Sequence, residues 1–180
     1  MKKIIILTTL ALLGTISSPL LAQQNDFIKD YLERLENSRR YLILVAETMP
    51  ENKYSYKASS DSLTFAQNLL HIGYAMDWHS QSLLGGRESR GWSTDTIFKV
   101  GDKSKEEMIA LLNTTFDEAI ALISKFDVNQ LNDKLDYFGL IRSKRQILLL
   151  LTDHITHHRG QMLVYMRLNG LVPPRYVLFQ

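Results

Sequence analysis

Three histidines lie within five positions in one C-terminal stretch, DHITHHRGQMLVYMRLNG (153–170). On a helix each residue advances by about 100°, so His154 and His158 share one face, one turn apart, within an apolar stripe. His157 falls at the edge of that stripe. Two imidazoles at positions i and i+4 of a helix are a known arrangement for binding a metal ion. Because burying both without a shared partner costs free energy, the spacing predicts a metal site. Hydrogen-bonded core histidines are the alternative.

The sequence excludes two kinds of metal site. The zincin motif requires a glutamate directly after the first histidine, as general base, and Ile155 stands there instead. The chain also has no cysteine. Thiolate nucleophiles, disulfides and cysteine-ligated zinc are therefore excluded.

A third ligand is expected from another helix, and the only other histidines are His71 and His79. They are eight residues apart, about 12 Å along a helix axis, so we do not expect one ion to bind both. Asn68, Tyr74 and Trp78 flank His71 on its own face, a mixed wall suited to a pocket. Geometry alone leaves the choice between the two histidines open.

Four amphipathic helices, each with apolar residues at helical spacing, are predicted to position these residues. Sequences of the capping-box type, with Gln or Glu three residues after Thr or Ser, mark three of the helix starts. The helices are expected to begin at about Asn25, Thr64, Ser104 and Ser143. The first ends near Thr48, the second at Gly85 and the fourth at Asn169, and the apolar stripe of the third runs to Ile123. The connections are 50–61, 87–102 and 127–142. This pattern predicts an all-α fold, an antiparallel four-helix bundle, with little strand. Sites in such bundles are built by side chains on facing helices.

The first 22 residues are predicted to be a secretory signal peptide. A basic start (Lys2, Lys3) precedes an apolar run over 4–16, and Ala22 is a suitable last residue before cleavage. We expect an exported, periplasmic protein without stable membrane association after cleavage, and a mature domain over 26–180. An uncleaved anchor is the alternative, although a spanning helix requires about 20 apolar residues.

The charge balance argues against nucleic acid as a partner. The chain has 21 basic and 19 acidic side chains. Loss of Lys2 and Lys3 with the signal leaves 19 of each, so the mature protein is formally neutral. No basic patch stands out beyond a short cluster near Arg142.

Two stretches, LTFAQNLLHIGYAMDW (63–78) and DHITHHRGQMLVYMRLNGLVPPRY (153–176), resemble the DinB/YfiT-like family of metal-binding four-helix bundles. The family pattern has a histidine about seven residues after a Ser/Thr cap in helix two. It also has H-x-x-x-H-R-G-Q in helix four, followed by Y-x-R-x-x-G. The resemblance covers about residues 26–180 and implies that His71, His154 and His158 are the metal ligands. Three histidines would leave a coordination position open.

The resemblance further implies a divalent ion, Zn, Ni or Fe, and a metal-dependent enzyme acting on an unknown small molecule. A hydrolase and a thiol-dependent transferase are the candidate activities, and an iron oxidoreductase ranks below them. The alternative is a non-catalytic, metal-stabilised bundle with a binding or structural role. A homodimer is possible for such a bundle.

Other residues near the motif are expected to support the site. Gln161, His157 and Asp153 are candidates to orient the ligands by hydrogen bonds. Arg159 falls off the apolar stripe and is expected at the surface or in an inter-helix salt bridge. Gly160, costly inside a helix, is expected to allow a close approach by another helix or a substrate.

Overall fold

The computed structural model describes the backbone of residues 2–176 and the side chains of residues 22–176. The predicted all-α four-helix bundle is confirmed. Its four α-helices are α1 (Lys2–Thr48), α2 (Phe65–Asp77), α3 (Lys105–Ile123) and α4 (Lys144–Leu168). The predicted signal peptide, 1–22, falls almost wholly on residues whose side chains lie outside this description, and it stays a prediction. Within the described residues, no helix combines the length and the apolar character needed to cross a membrane.

Reciprocal capping boxes begin α2, α3 and α4, as the sequence predicts. In α2 the Thr64 amide donates to Gln67 Oε1 over 2.8 Å, and the Gln67 amide donates back to Thr64 Oγ1 over 3.1 Å. Ser104 and Ser143 form the same pair of bonds at the starts of α3 and α4. Each box satisfies two backbone amides that a helix start leaves without partners. The boxes therefore fix where α2 and α4, which carry the histidines, begin.

The second helix differs from the prediction in its last two turns, because it continues as a π-helix over Trp78–Leu84. The carbonyl of Ala75 accepts a hydrogen bond from His79 Nδ1 over 2.6 Å, and that of Met76 accepts one from Ser80 Oγ over 2.7 Å. Side chains that bond to carbonyls four residues earlier compete with the α-helical ladder. The wider turn occurs where two such bonds follow one another, and π-helical turns are frequent at functional sites.

The predicted connection 127–142 contains a small β-hairpin rather than irregular loop alone. Strand β1 (Lys134–Tyr137) pairs antiparallel with β2 (Leu140–Ser143). The two turn residues, Phe138 (φ 54°) and Gly139 (φ 78°), both have positive φ, as tight hairpin turns require. Asparagine or aspartate usually precedes glycine in such turns, so a Phe-Gly pair gives little sequence signal. Phe138 is 78% exposed at the tip.

The bundle core contains buried side chains from all four helices, among them Leu42 of α1, Leu69 of α2, Phe116 of α3 and Leu151 of α4. Each fully buried side chain of this size contributes about 1.5–3 kcal/mol through removal of apolar surface from water. The histidines lie at the interface of α2 and α4, at the edge of this core. The packing of these two helices therefore sets the geometry of the site.

The loop between the second and third helices (residues 86–103, the α2–α3 loop) is tied to α2. Gly73 permits this, since a Cβ atom there would lie 2.8 Å from a ring carbon of Phe98, which is 4% exposed. Asp77, also buried, accepts hydrogen bonds from Arg87 and Arg90. The loop is thus held against the helix that carries His71.

Candidate metal centre

The structure brings together three of the predicted site residues, His71 of α2 and His154 and His158 of α4. Each offers one ring nitrogen, and these nitrogens all lie within 4.8 Å of one another. The ring centroids are 4.9 Å apart for His71 and His154, 4.6 Å for His71 and His158, and 4.5 Å for His154 and His158. Three nitrogens at Zn–N distances of about 2.0–2.1 Å would lie roughly 3.4 Å apart, so small side-chain rotations would suffice. The three histidines could hold a metal ion.

His79, the alternative left open by the sequence, is not in this cluster. Its Nδ1 donates to the Ala75 carbonyl over 2.6 Å, and its Nε2 is 3.0 Å from the Tyr137 hydroxyl. A carbonyl oxygen can only accept, so Nδ1 carries the proton and the neutral ring accepts at Nε2 from Tyr137. Burial lowers the pKa of His79 to about 4, against the bond to Ala75, which raises it. Both ring nitrogens are therefore already engaged.

Asn68 orients His158, a role that sequence reasoning missed. Its side chain is fully buried, and its Oδ1 lies 2.8 Å from His158 Nδ1. Asn68 Nδ2 donates to the carbonyls of Leu63 and Thr64, at 3.3 and 3.0 Å, which fixes the orientation of the amide. His158 therefore donates from Nδ1 and keeps the Nε2 lone pair for an ion, the type of contact that sets a ligand tautomer. A polar residue three positions before His71 on an apolar helix was the available signal.

Two buried ring nitrogens of the cluster have no partner in the described part of the chain. They are His71 Nδ1 and His154 Nε2, and both are buried. A buried polar atom without a partner costs about 1–3 kcal/mol. An ion bound between the three rings would satisfy at least one such nitrogen, so the donor set fits a divalent metal. Imidazole suits zinc, nickel and iron alike.

The surroundings keep the three imidazoles neutral, the form that can bind a metal. Burial, followed by the neighbouring imidazoles, lowers the pKa of His154 to about 4 and that of His158 to about 3. Burial, followed by the charge of Lys99, also lowers the pKa of His71. No carboxylate in the described residues forms an ion pair or hydrogen bond with the cluster.

The three candidate supporting residues lie outside the cluster. His157 is exposed, and its ring packs at 4.9 Å against that of His158. Gln161 Nε2 lies 2.9 Å from His157 Nε2. Asp153 is exposed. Within the described side chains, neither Gln161 nor Asp153 forms a hydrogen bond to a clustered histidine.

The expectation for Arg159 is wrong, and so is the expectation that another helix approaches Gly160. Arg159 is buried, only 4% exposed, and its guanidinium lies over the rings of Tyr41 at 5.1 Å and Tyr176 at 5.8 Å. The segment after α4 folds back and covers it, and Tyr41 donates to the carbonyl of Pro174 over 3.1 Å. Helical periodicity cannot predict that a segment beyond the helix buries Arg159. At Gly160 an added Cβ atom would meet nothing within 4 Å among the described residues, so no neighbouring helix requires the glycine; an approach by a substrate stays a prediction.

The α2–α3 loop supplies two further residues that the sequence did not single out. The Trp92 ring lies edge-on to His71, with centroids 4.9 Å apart. The ammonium of Lys99 lies 3.5 Å from the centroid of the Trp92 ring, a cation–π contact. Loop residues carry no periodic signal, and their position becomes clear only from the packing of Phe98 on Gly73.

Comparison with known proteins agrees with this architecture. The uncharacterized protein YjoA of Bacillus subtilis (strain 168) is 22% identical over 153 residues, covering 83% of this chain and 93% of that protein. The crystal structure of YjoA, described as a DinB-like protein, superposes with a TM-score of 0.64 at 24% identity, covering 84% of this chain and 97% of that one. A DinB-like protein from Bacillus cereus ATCC 10987 gives a TM-score of 0.59 at 25% identity, covering 82% and 93%. The DinB family model matches residues 22–179. The chain therefore belongs to the DinB family.

Proposed function

We propose that His71, His154 and His158 bind a divalent metal ion and that the protein is an exported, metal-dependent enzyme acting on a small molecule. The observation that carries the proposal is the convergence of three neutral imidazoles, of which His71 Nδ1 and His154 Nε2 are buried without a hydrogen-bond partner among the described residues. His79, by contrast, has protein partners at both ring nitrogens. A cluster that lacks such partners is costly unless a ligand supplies them.

Three protein ligands leave a coordination position open, as in catalytic rather than closed structural sites. An ion held there would lower the pKa of a bound water or thiol, chemistry that serves a hydrolase or a thiol-dependent transferase. The protein's own contribution is to hold the rings: Asn68 fixes the tautomer of His158, and Trp92 packs against His71.

The histidines of α4 provide a matched test. The mature protein, purified without a His tag or chelators, is analysed for bound metal beside His154→Gln, His158→Gln and His157→Gln. We expect near-stoichiometric metal in the wild type and in His157→Gln, and its loss in the other two variants. No metal in the wild type after reconstitution with zinc, nickel and ferrous iron would contradict the proposal.

A structural role for the ion is the second candidate, because the cluster joins α2 to α4 and an ion there would act as a cross-link. The cobalt-substituted protein distinguishes the two roles. A change in its visible spectrum on addition of azide indicates an exchangeable position and favours an enzyme. An unchanged spectrum, together with a large loss of melting temperature on metal removal, favours a structural ion.

Export rests on the sequence of residues 1–22. We expect the full-length chain, expressed in a bacterium, to accumulate in the periplasm with an N-terminus at or near residue 23. Mass spectrometry of the periplasmic and membrane fractions tests this. Retention of Met1 in the membrane fraction would indicate an anchor.

A further inference from the structure

A cavity of about 280 Å³ lies between the start of α2 and the α2–α3 loop, and Trp92 connects it to the histidine cluster. Its walls include Leu63, Phe98 and Val100, and it is mostly apolar. Trp92 lines it as well, and the same ring contacts His71. The volume is near the lower end of the range for ligand pockets, about 300–1,000 Å³. The cavity therefore suits a small organic group next to the proposed metal position.

Among the described residues that line this cavity, Lys99 is the one with a charged side chain. Its ammonium lies over Trp92 and forms no ion pair with any carboxylate among the described side chains. A cation–π contact is weaker than a charge-assisted hydrogen bond to an anion, so the ammonium can move to such a partner. Its charge already acts on His71, where it adds to the effect of burial on the pKa.

With a divalent ion bound, the cluster and its surroundings would carry an excess of positive charge. Three neutral imidazoles leave both positive charges of a divalent ion uncompensated, and no described carboxylate pairs with them. Lys99 adds a third positive charge nearby. Repulsion between like charges is stronger in a partly desolvated site than in water. A negatively charged ligand would relieve it.

We propose that the substrate is a small organic anion whose carboxylate or phosphate lies between Lys99 and the metal, with its apolar part in the cavity against Trp92 and Phe98. This inference rests on the proposed function, since the ion supplies part of the attraction. Lys99 then acts as the residue that selects a charged over a neutral substrate. Because coupling between two binding sites is reciprocal, the anion also raises the affinity for the metal.

The test uses benzoate, phenylphosphonate and the neutral benzamide, which share an aromatic ring and differ in the charged group. Binding to the zinc-reconstituted, full mature protein is followed by NMR through the indole N–H of Trp92, which is assigned with Trp92→Phe. The variants are Lys99→Met, which removes the charge, Lys99→Arg, which keeps it, and Lys53→Met as the control. Lys53 is exposed and does not line the cavity.

We expect benzoate or phenylphosphonate to bind at least about tenfold more tightly than benzamide, and Lys99→Met to remove about tenfold of that affinity. Lys99→Arg should retain most of it, and Lys53→Met all of it. The zinc affinity of the wild type should rise in the presence of the bound anion, and that rise should be smaller in Lys99→Met. Metal content and circular dichroism of every variant show that the fold and the site are intact.

Equal affinity for benzoate and benzamide, or unchanged anion binding in Lys99→Met, would overturn the inference while the metal site stands. A wild type that takes up no metal instead overturns the proposed function. In that case, anion binding by the metal-free protein, and its loss in Lys99→Met, decides whether the Lys99 cavity recognises anions by itself. The preferred anion separates a carboxylate from a phosphate substrate.

Discussion

His71 and His79 lie eight residues apart on the second helix and its π-helical continuation, yet the structure treats them in opposite ways. His79 is the more buried, at 2% exposure, and both of its nitrogens bond to the protein. His71 is half-buried, and its Nδ1 has no partner in the described residues. Burial alone therefore does not identify a candidate ligand. What separates a structural histidine from an available one is whether the protein itself completes its hydrogen bonds.

The largest expected difference between the two positions is in metal affinity. His71→Gln should weaken zinc binding by at least about a hundredfold, because it removes a direct ligand, a larger change than the 10–100-fold typical of outer hydrogen-bond partners. His79→Gln should change it by only a few fold. Competition with a chromophoric chelator measures both. Comparable losses in the two variants would place His79 among the ligands.

The pH dependence of stability should change more in His79→Gln than in His71→Gln, the reverse of the order expected for zinc affinity. Burial lowers the pKa of His79 to about 4 in the folded protein, from an ordinary value near 6.5, so the unfolded chain binds a proton more readily. The stability contributed by neutral His79 is full above about pH 7 and is lost as the pH falls toward 4. For the metal-free protein we expect about 2–3 kcal/mol of the loss between pH 7 and 4 to come from His79.

Urea unfolding of wild type and His79→Gln across that range tests the assignment. The groups that face His79 are Tyr137, Trp78 and His154, and none of them is a carboxylate. The difference between the two proteins therefore removes the shared titration of acidic residues. Parallel pH profiles would contradict the prediction.

Asn68 tests how much metal affinity depends on the hydrogen bond that orients His158. Asn68→Leu removes the acceptor for His158 Nδ1, so the ring can take the wrong tautomer, and zinc affinity should fall about 10–100-fold. Asn68→Asp keeps an oxygen in place and should lose far less. Isothermal titration with zinc under identical buffer conditions compares the two. Equal losses would mean that the site depends on packing by Asn68 rather than on its hydrogen bond.

The smallest expected effect concerns the Tyr137 hydroxyl. Tyr137→Phe leaves His79 Nε2 without its donor and should destabilise the protein by about 1 kcal/mol, a typical value for one hydrogen bond. Metal content should not change. Thermal unfolding beside Phe138→Leu, a substitution at an exposed ring of the same hairpin, supplies the comparison. A fall in metal content would instead connect Tyr137 to the cluster.

Local sequence rules determined much of the fold and of the α4 half of the site. The capping boxes at Thr64, Ser104 and Ser143 depend on side chains three residues apart, so they could be predicted directly. The spacing of His154 and His158 follows from helical geometry in the same way. The choice of His71 over His79 required a family resemblance, because it depends on how two helices pack.

The remaining features depend on contacts between distant segments. The amide of Asn68 is oriented by carbonyls before α2 and by a histidine on α4, a combination that no local pattern encodes. Trp92 and Lys99 reach the site because Phe98 packs against Gly73. Arg159 is buried because the chain after α4 returns over it. Each of these depends on tertiary packing, which periodicity does not describe.

The division of the three histidines between α2 and α4 also has a kinetic consequence. His154 and His158 come into register as soon as α4 forms, because they are one turn apart on a single helix. His71 joins them only after α2 has docked, across a long intervening segment that includes α3 and the hairpin. A newly synthesised chain could therefore capture a metal ion weakly and early through α4. Tight binding of the proposed ion would require α2 to be docked against α4, so the rate of tight metal binding would report that docking.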